Sequence, residues 1–369
     1  MVNKIYYVAD FNLPNMSAYA LHVLKMCDAL CEPNNEVTLI IPFIQKKYKF
    51  DKIKKEFLLK KNFKIKILNR KKEKSNLVER LLFGYKVYRY LSKIKSQKFI
   101  ISRSIISSLT LSIFGEKNLL EIHAELSGVT YFLVNIMKVH LIKGNIRFIF
   151  LNEYLRRIFS VNKKNSIILD DAVDIRDFKK KKYNRKNSCV YTGSFVEGKG
   201  IEIITQIAKR LKKTDFFLYG NINTLPKKYS YLKKENNIHF KGFAKYNNIP
   251  NILTNHKVLL MPYGKKVGIL AKDIDVSNYF SPLKMFDYLA AGGVIVASNL
   301  KVYKKILTKK NSLKINDENV DEWVKKINLI LMTNKFNYLR NKAVETAKKY
   351  TWQKRVLKIF KFINRERLN

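Results

Sequence analysis

The sequence predicts an α/β protein built from two Rossmann-like, doubly wound domains. Three observations carry this: a length of 369 residues, a regular alternation of short apolar runs with helix-period segments, and one break in that alternation near the middle. A chain this long exceeds one ordinary core and suits two. Strands that alternate with amphipathic helices imply parallel sheets with crossover connections.

Taken in order, residues 5–9 read as a strand, followed by a polar turn with Pro14 and Ser17 and an amphipathic helix over 18–30. Further strands are expected at 36–42, 63–68, 99–102, 118–122, 147–151 and 166–169, each separated by a helix-compatible segment. Hydrophobic periodicity stops in the charged run 179–186. It restarts with a strand at 188–192, a helix at 201–212, strands at 215–219 and 238–241, a helix near 249–255 and a strand at 257–261. The expected domains are therefore 1–175 and 176–350. A last helix over 352–364 carries Val356, Leu357, Phe360 and Ile363 at helical spacing, so 351–369 can pack back on the first domain.

Composition narrows the class. Nearly half the residues are apolar, enough for two cores, while 73 Lys and Arg against 29 Asp and Glu leave a net charge of +44 spread along the chain. Two readings of the charge stay open. One is codon drift, because Lys, Asn, Ile, Phe and Tyr are abundant together; the other is attraction to an anionic membrane or an acidic lipid-linked substrate, worth about 1 kcal/mol per well-placed base. The lysine-rich stretch 46–74, interleaved with Phe50, Ile53, Phe57, Leu58, Leu59 and Phe63, reads either as a membrane-facing surface or as an ordinary amphipathic helix and strand with solvated lysines. Nucleic acid is not expected as a partner, for zinc spacing, RNA-recognition aromatics and a helix-turn-helix are all missing. Cys27 and Cys31 lie one helical turn apart on an apolar stripe, and with Cys189 read as buried thiols of a reducing compartment. No leader or bilayer-spanning segment is expected, so a cytoplasmic protein, peripheral at most on the inner face of the membrane, is the reading.

Two segments carry chemistry. The run from Gly193 through Ser194, Phe195, Val196, Glu197, Gly198, Lys199 and Gly200 leaves a strand and opens a helix, where unpaired amides and the helix dipole favour an anion. It nearly matches a P-loop but places Gly200 where a Ser or Thr would hold Mg2+, which disfavours a nucleotide hydrolase. The second segment runs from Ser281 through Pro282, Leu283, Lys284, Met285, Phe286, Asp287 and Tyr288 to Gly292. Ser281 is the expected N-cap, Pro282 the first helical residue and Gly292 the left-handed stop. Lys284 in the first turn opposes the helix dipole unless both face a diphosphate. Asp287, one turn on, either reaches sugar or ribose hydroxyls or balances Lys284.

These residues, with Tyr191, Thr192, Gly242 and the run Met261-Pro262-Tyr263, resemble family 4 glycosyltransferases, also called glycosyl transferases group 1. The resemblance implies the GT-B fold, a nucleotide sugar (UDP- or GDP-linked) bound by the C-terminal domain, a glycan or lipid-linked acceptor on the N-terminal domain, and reaction in the cleft between them. It implies that Lys199 binds the diphosphate, that Ser194 stands where the family usually has Arg, and that residues 281–284 hold the diphosphate. Asp287 matches the second acidic position of the family's paired Glu motif, and Tyr279 stands at the first. His123, after Glu121 and Ile122, resembles the His that touches the donor sugar, with Glu121 and Tyr279 near sugar or ribose. Asn15 and Ser17 fall in the loop that faces the cleft.

Read as a transferase of this family, the chain retains anomeric configuration, the acceptor proton passing to a diphosphate oxygen. Cations fixed at the leaving group lower that barrier. Neither a cofactor nor a metal is expected, because no Asp-x-Asp or His cluster suited to Mg2+ or Mn2+ stands out. Surface polysaccharide or glycolipid synthesis is the expected context. A nucleotide-sugar epimerase of the same fold and a non-catalytic relative remain alternatives, and oligomeric state is not legible.

Overall fold

A computed structural model describes residues 3–68, 76–178, 185–267 and 282–364. The chain divides into two compact units, Met1–Asp170 with Trp352–Asn369, and Asp171–Thr351.

The first unit runs β1 (Asn3–Val8), β2 (Asn12–Leu13), α1 (Ala18–Leu30), β3 (Asn35–Ile41), β4 (Phe43–Ile44), α2 (Phe50–Phe57), β5 (Lys64–Ile67), α3 (Leu77–Ser92), β6 (Lys98–Ser102), α4 (Ile105–Ile113), β7 (Asn118–Ile122), α5 (Gly128–Tyr131), β8 (Ile146–Phe150), α6 (Glu153–Ile158) and β9 (Ser166–Ile168). Seven strands form a parallel sheet in the order β5-β3-β1-β6-β7-β8-β9, and β2 pairs separately with β4. Sequence order reverses between β1 and β6, as expected of a doubly wound sheet. The central strands are mostly apolar in their middle and later residues, as suits a sheet covered on both faces, and Ile5, Tyr7, Val8, Ile101, Leu119 and Ile149 are all buried.

Helix α1 begins where the Ser17 hydroxyl accepts from the Ala20 amide at 3.2 Å, and it buries Val23, Leu24, Cys27 and Leu30. Cys27 is buried, Cys31 half-buried with its thiol donating to the Cys27 carbonyl, and Cys189 buried; all three are free. In α3, Gly84 permits close approach of α4, since a Cβ there would sit 2.8 Å from Thr110 Oγ1.

The second unit holds β10 (Lys186–Thr192), α7 (Ile201–Arg210), β11 (Phe216–Tyr219), β12 (Ile238–Phe240), α8 (Ile249–Thr254), β13 (His256–Met261), α9 (Leu283–Ala291), β14 (Val294–Ser298), β15 (Leu313–Ile315), α10 (Val320–Met332) and α11 (Asn337–Ala347). Its sheet, order β12-β11-β10-β13-β14-β15, is parallel, and sequence order reverses between β10 and β13. After Thr351 the chain returns to the first unit as α12 (Trp352–Asn364), which packs on α1 through Trp352 and His22, ring centroids 5.0 Å apart.

Both sheets and their doubly wound order agree with the predicted fold class. The stretch 46–74 is different from a membrane surface in its described part. Ile53, Phe57, Leu59 and Phe63 are buried, and Phe50 packs edge-on against Phe63 at 5.1 Å, so its apolar side chains serve the core while the lysines are solvated. Among the described residues no helix is long and apolar enough to cross a membrane.

Candidate functional site

In the second unit the loops after β10 and β13 meet at the point where strand order reverses, the place where doubly wound sheets bind ligands. The first loop needs its glycines: Gly193, Gly198 and Gly200 have φ of +147°, +77° and +102°, which side chains rarely adopt. The loops are tied together where the Gly264 amide donates to the Gly198 carbonyl at 2.9 Å. Gly200 becomes the left-handed cap from which α7 starts.

Lys284 lies at the second position of α9 and reaches back into this junction. Its Nζ sits 4.0 Å from the Tyr191 ring centroid and 4.8 Å from that of Tyr263, and a Cβ on Gly193 would lie 2.6 Å from it. The side chain as a whole is only half-buried, yet its ammonium is out of solvent and has no hydrogen-bond partner among the described residues. Burial first, and the Lys199 charge second, hold it well below the usual lysine range. Lys199 is likewise pushed down by burial. Two ammonium groups near enough to repel each other, one dry and without a hydrogen-bond partner, form a site short of negative charge among the described residues.

The helix starts here differ from expectation. Pro282 is the cap of α9 instead of its first helical residue, with extended ψ of 116° and no side-chain cap, and Leu283 starts the helix. Ser281, the expected N-cap, and Tyr279 lie outside the described residues. Gly292 ends α9 with φ +64° as predicted. At α7, Glu202 accepts from the Gly198 amide at 3.3 Å, so that start is less open to an anion than α9. The Ser194 carbonyl accepts from the Tyr191 hydroxyl at 2.8 Å, which fixes the loop under Gly193. Asp287 is buried on α9 and accepts from the Tyr246 hydroxyl at 3.5 Å. Burial, followed by Asp287, Asp177 and Asp174, pushes that phenol well above its usual range.

In the first unit, Glu121 at the end of β7 is the hub of a buried network. Its Oε2 accepts from Tyr7 at 2.6 Å, while Oε1 lies 2.9 Å from Nε2 of both His22 and His123 and receives the Arg355 guanidinium. Burial alone would raise the Glu121 pKa, but His22, Arg355 and His123 outweigh it and hold the carboxyl well below its usual range. His123 is pushed down to about 3, by burial first and then by the Arg103 and His22 charges. It is therefore neutral at physiological pH. With Glu121 accepting at Nε2, the remaining Nδ1 is left as an acceptor.

His22, Glu121 and His123 also bring ligand atoms within 4.8 Å of one another, the spacing of a metal site. The chemistry fits poorly, because the shared oxygen already takes the Arg355 guanidinium, whose charge would oppose a cation. Asn15 and Ser17 are engaged locally: Asn15 Oδ1 accepts from the Ser17 amide at 2.9 Å, and Ser17 caps α1.

Sequence reasoning missed Tyr7, His22, Arg103 and Arg355, which sit on β1, on α1, just after β6 and on α12 and join only through tertiary contact. A polar His22 and an Arg355 on otherwise apolar helix faces are the one signal available. Tyr191 and Tyr263 stood within the quoted motifs, but not as the walls around Lys284.

Residues 186–333 match the family described as glycosyl transferases group 1. No curated protein sequence matches the chain. Among solved structures, a glycosyltransferase from Rickettsia africae superposes with a TM-score of 0.72 at 12% identity, covering 98% of each chain. HepE of Anabaena, solved with UDP and glucose, gives 0.72 at 12% identity over 98% of this chain and 99% of its own. Sucrose-phosphate synthase from Thermosynechococcus elongatus gives 0.70 at 12% identity, covering 98% of each. These likenesses carry the fold, which is GT-B.

Proposed function

We propose that this chain, a glycosyltransferase whose second unit is a group 1 domain, moves a sugar from a UDP- or GDP-linked donor to a glycan or lipid-linked acceptor with retention of anomeric configuration. The observation that carries the donor reading is the dry Lys284 ammonium, without a hydrogen-bond partner among the described residues, beside Lys199 and Gly193 at a helix start with no side-chain cap. A diphosphate supplies the missing charge, and the same cations stabilise the charge that grows on it as the sugar leaves. That HepE is described with UDP and glucose supports UDP as the first donor to test.

In this reading the second unit binds the nucleotide sugar and the first carries the acceptor side. Neutral His123 offers Nδ1 to a sugar hydroxyl without adding positive charge near an oxocarbenium-like carbon, and Glu121 fixes its tautomer and aim. Asp287 and Tyr246 reach ribose or sugar hydroxyls. The acceptor hydroxyl arrives on the leaving-group face and passes its proton to a diphosphate oxygen. Lys199 and Lys284 take the charge-neutralising role that a divalent ion would otherwise have, so activity should survive chelation by EDTA. Surface polysaccharide or glycolipid synthesis is the context we favour.

The test is thermal stabilisation by UDP, GDP, CMP and ATP. A ligand at 100 times its Kd adds about 2.7 kcal/mol. A rise with UDP or GDP that disappears in both Lys199→Ala and Lys284→Ala supports the donor site and identifies the base. Silence with all four, or a response to ATP and Mg2+ alone, overturns it.

A further inference from the structure

Helix α3 has two apolar faces. Phe83, Val87 and Leu91 face the core, whereas Val78, Leu81, Leu82 and Tyr85, at i, i+3, i+4 and i+7, are 60, 45, 45 and 44% exposed. This outer stripe continues onto the end of α4. There Phe114 stacks on Tyr88 with centroids 4.2 Å apart and lies 6.1 Å from Tyr85, and it and Ile113 are about half exposed at 48 and 51%. Lys143 Nζ donates to the Ile113 carbonyl at 2.7 Å, which ties the segment after α5 to the same place. That segment exposes Phe132, Ile136, Met137 and Ile142, the last 71% accessible.

A monomer rarely leaves so many large apolar side chains exposed on adjoining elements of one unit. The charge around them identifies the occupant. Neither 80–115 nor 126–152 contains an Asp or Glu, while Arg89, Lys93, Lys117 and Lys143 are exposed within or beside them. A second copy would bring these bases against one another, whereas anionic headgroups neutralise them. An outward apolar helix face flanked by bases is also the composition of a helix that lies in a membrane interface.

We infer that the outer face of α3, the end of α4 and the 128–143 segment together form a surface that docks on an anionic lipid bilayer. The surface is distinct from the 46–74 stretch, whose apolar residues are internal, and it stands independently of the glycosyl-transfer reading.

The test is co-sedimentation of the full chain with vesicles of phosphatidylcholine, alone or mixed with phosphatidylglycerol. Binding to mixed vesicles is expected, with a loss on the order of 100-fold in Leu82→Ser/Tyr85→Ser/Phe132→Ser/Ile142→Ser, whose side chains are exposed. Arg89→Ala/Lys93→Ala/Lys117→Ala should lose roughly as much, at about tenfold or less per charge, and it keeps the test open if the first variant fails to fold. Lys46→Ala/Lys47→Ala/Lys55→Ala should bind like the parent. Failure of the parent to sediment with mixed vesicles overturns the inference. So does equal binding by both patch variants, or a lipid-free dimer that the apolar variant converts to monomer, which would assign the face to a second copy.

Discussion

Replacing Lys284 by Met separates its two consequences, because stability without ligand and affinity for nucleotide should move in opposite directions. In the free protein a buried, unsatisfied group costs about 1–3 kcal/mol or more when charged. The Tyr191 and Tyr263 faces, at 4.0 and 4.8 Å, return about 0.5–2 kcal/mol as cation–π attraction. Methionine keeps the unbranched stem against both rings and removes the unpaired charge and its repulsion with Lys199. The expected net change is a gain of about 1 kcal/mol, or roughly 2–4 °C in Tm for a domain of this size. Toward nucleotide, the lost charge-assisted hydrogen bond costs about 1.5–3 kcal/mol, a roughly 10- to 150-fold weaker Kd for UDP. Scanning fluorimetry without ligand and calorimetric titration with UDP measure the two. A ligand-free protein destabilised by more than about 1 kcal/mol while UDP affinity holds would refute the idea of an unpaired cation awaiting an anion.

Further outcomes follow from the same geometry. Because Lys284 is held low in the free protein and a diphosphate favours its ammonium form, UDP binding should take up a proton at pH values between the lowered range of the free protein and the usual lysine range, and weaken as pH rises; titration in buffers of different ionisation heat across that span detects this, and zero uptake throughout contradicts it. Gly193→Ala, with φ of +147° and Lys284 Nζ 2.6 Å from the new methyl, should cost about 1–3 kcal/mol in urea unfolding and abolish UDP stabilisation. Glu121→Gln strands the buried Arg355 and should cost about 3–5 kcal/mol, against almost no effect if the network is dispensable. His123 and His256 are pushed down, to about 3 and about 4, below the ~6.5 of an unfolded His, so the unfolded chain binds more protons between those values. Their neutral burial is fully stabilising above pH ~6.5 and lost as pH falls toward the folded values. Unfolding free energies from urea titration should therefore drop between pH 7 and 5, by roughly 2 kcal/mol for each histidine that contributes, and His123→Asn should flatten that slope.

What the sequence determined by itself was local. The helix over 18–30, the strand at 118–122 and the last helix over 352–364 were readable to the residue, since caps and periodicity repeat within a few positions. Gly292 was legible as a left-handed helix stop, and Lys199 and Lys284 as cations at helix starts. Shorter elements such as β15, and the boundary at Pro282, escaped because three residues or one cap carry too little pattern. Only tertiary structure decided which distant groups share an atom. Glu121 is 114 residues from Tyr7 and 234 from Arg355, and nothing in the spacing along the chain says that a strand end, two other elements and the last helix converge on one carboxylate. The same holds for the tyrosines around Lys284, which come from two strand ends that the sheet topology alone makes neighbours, and for α3, whose second apolar face is exposed because the sheet has room for only one.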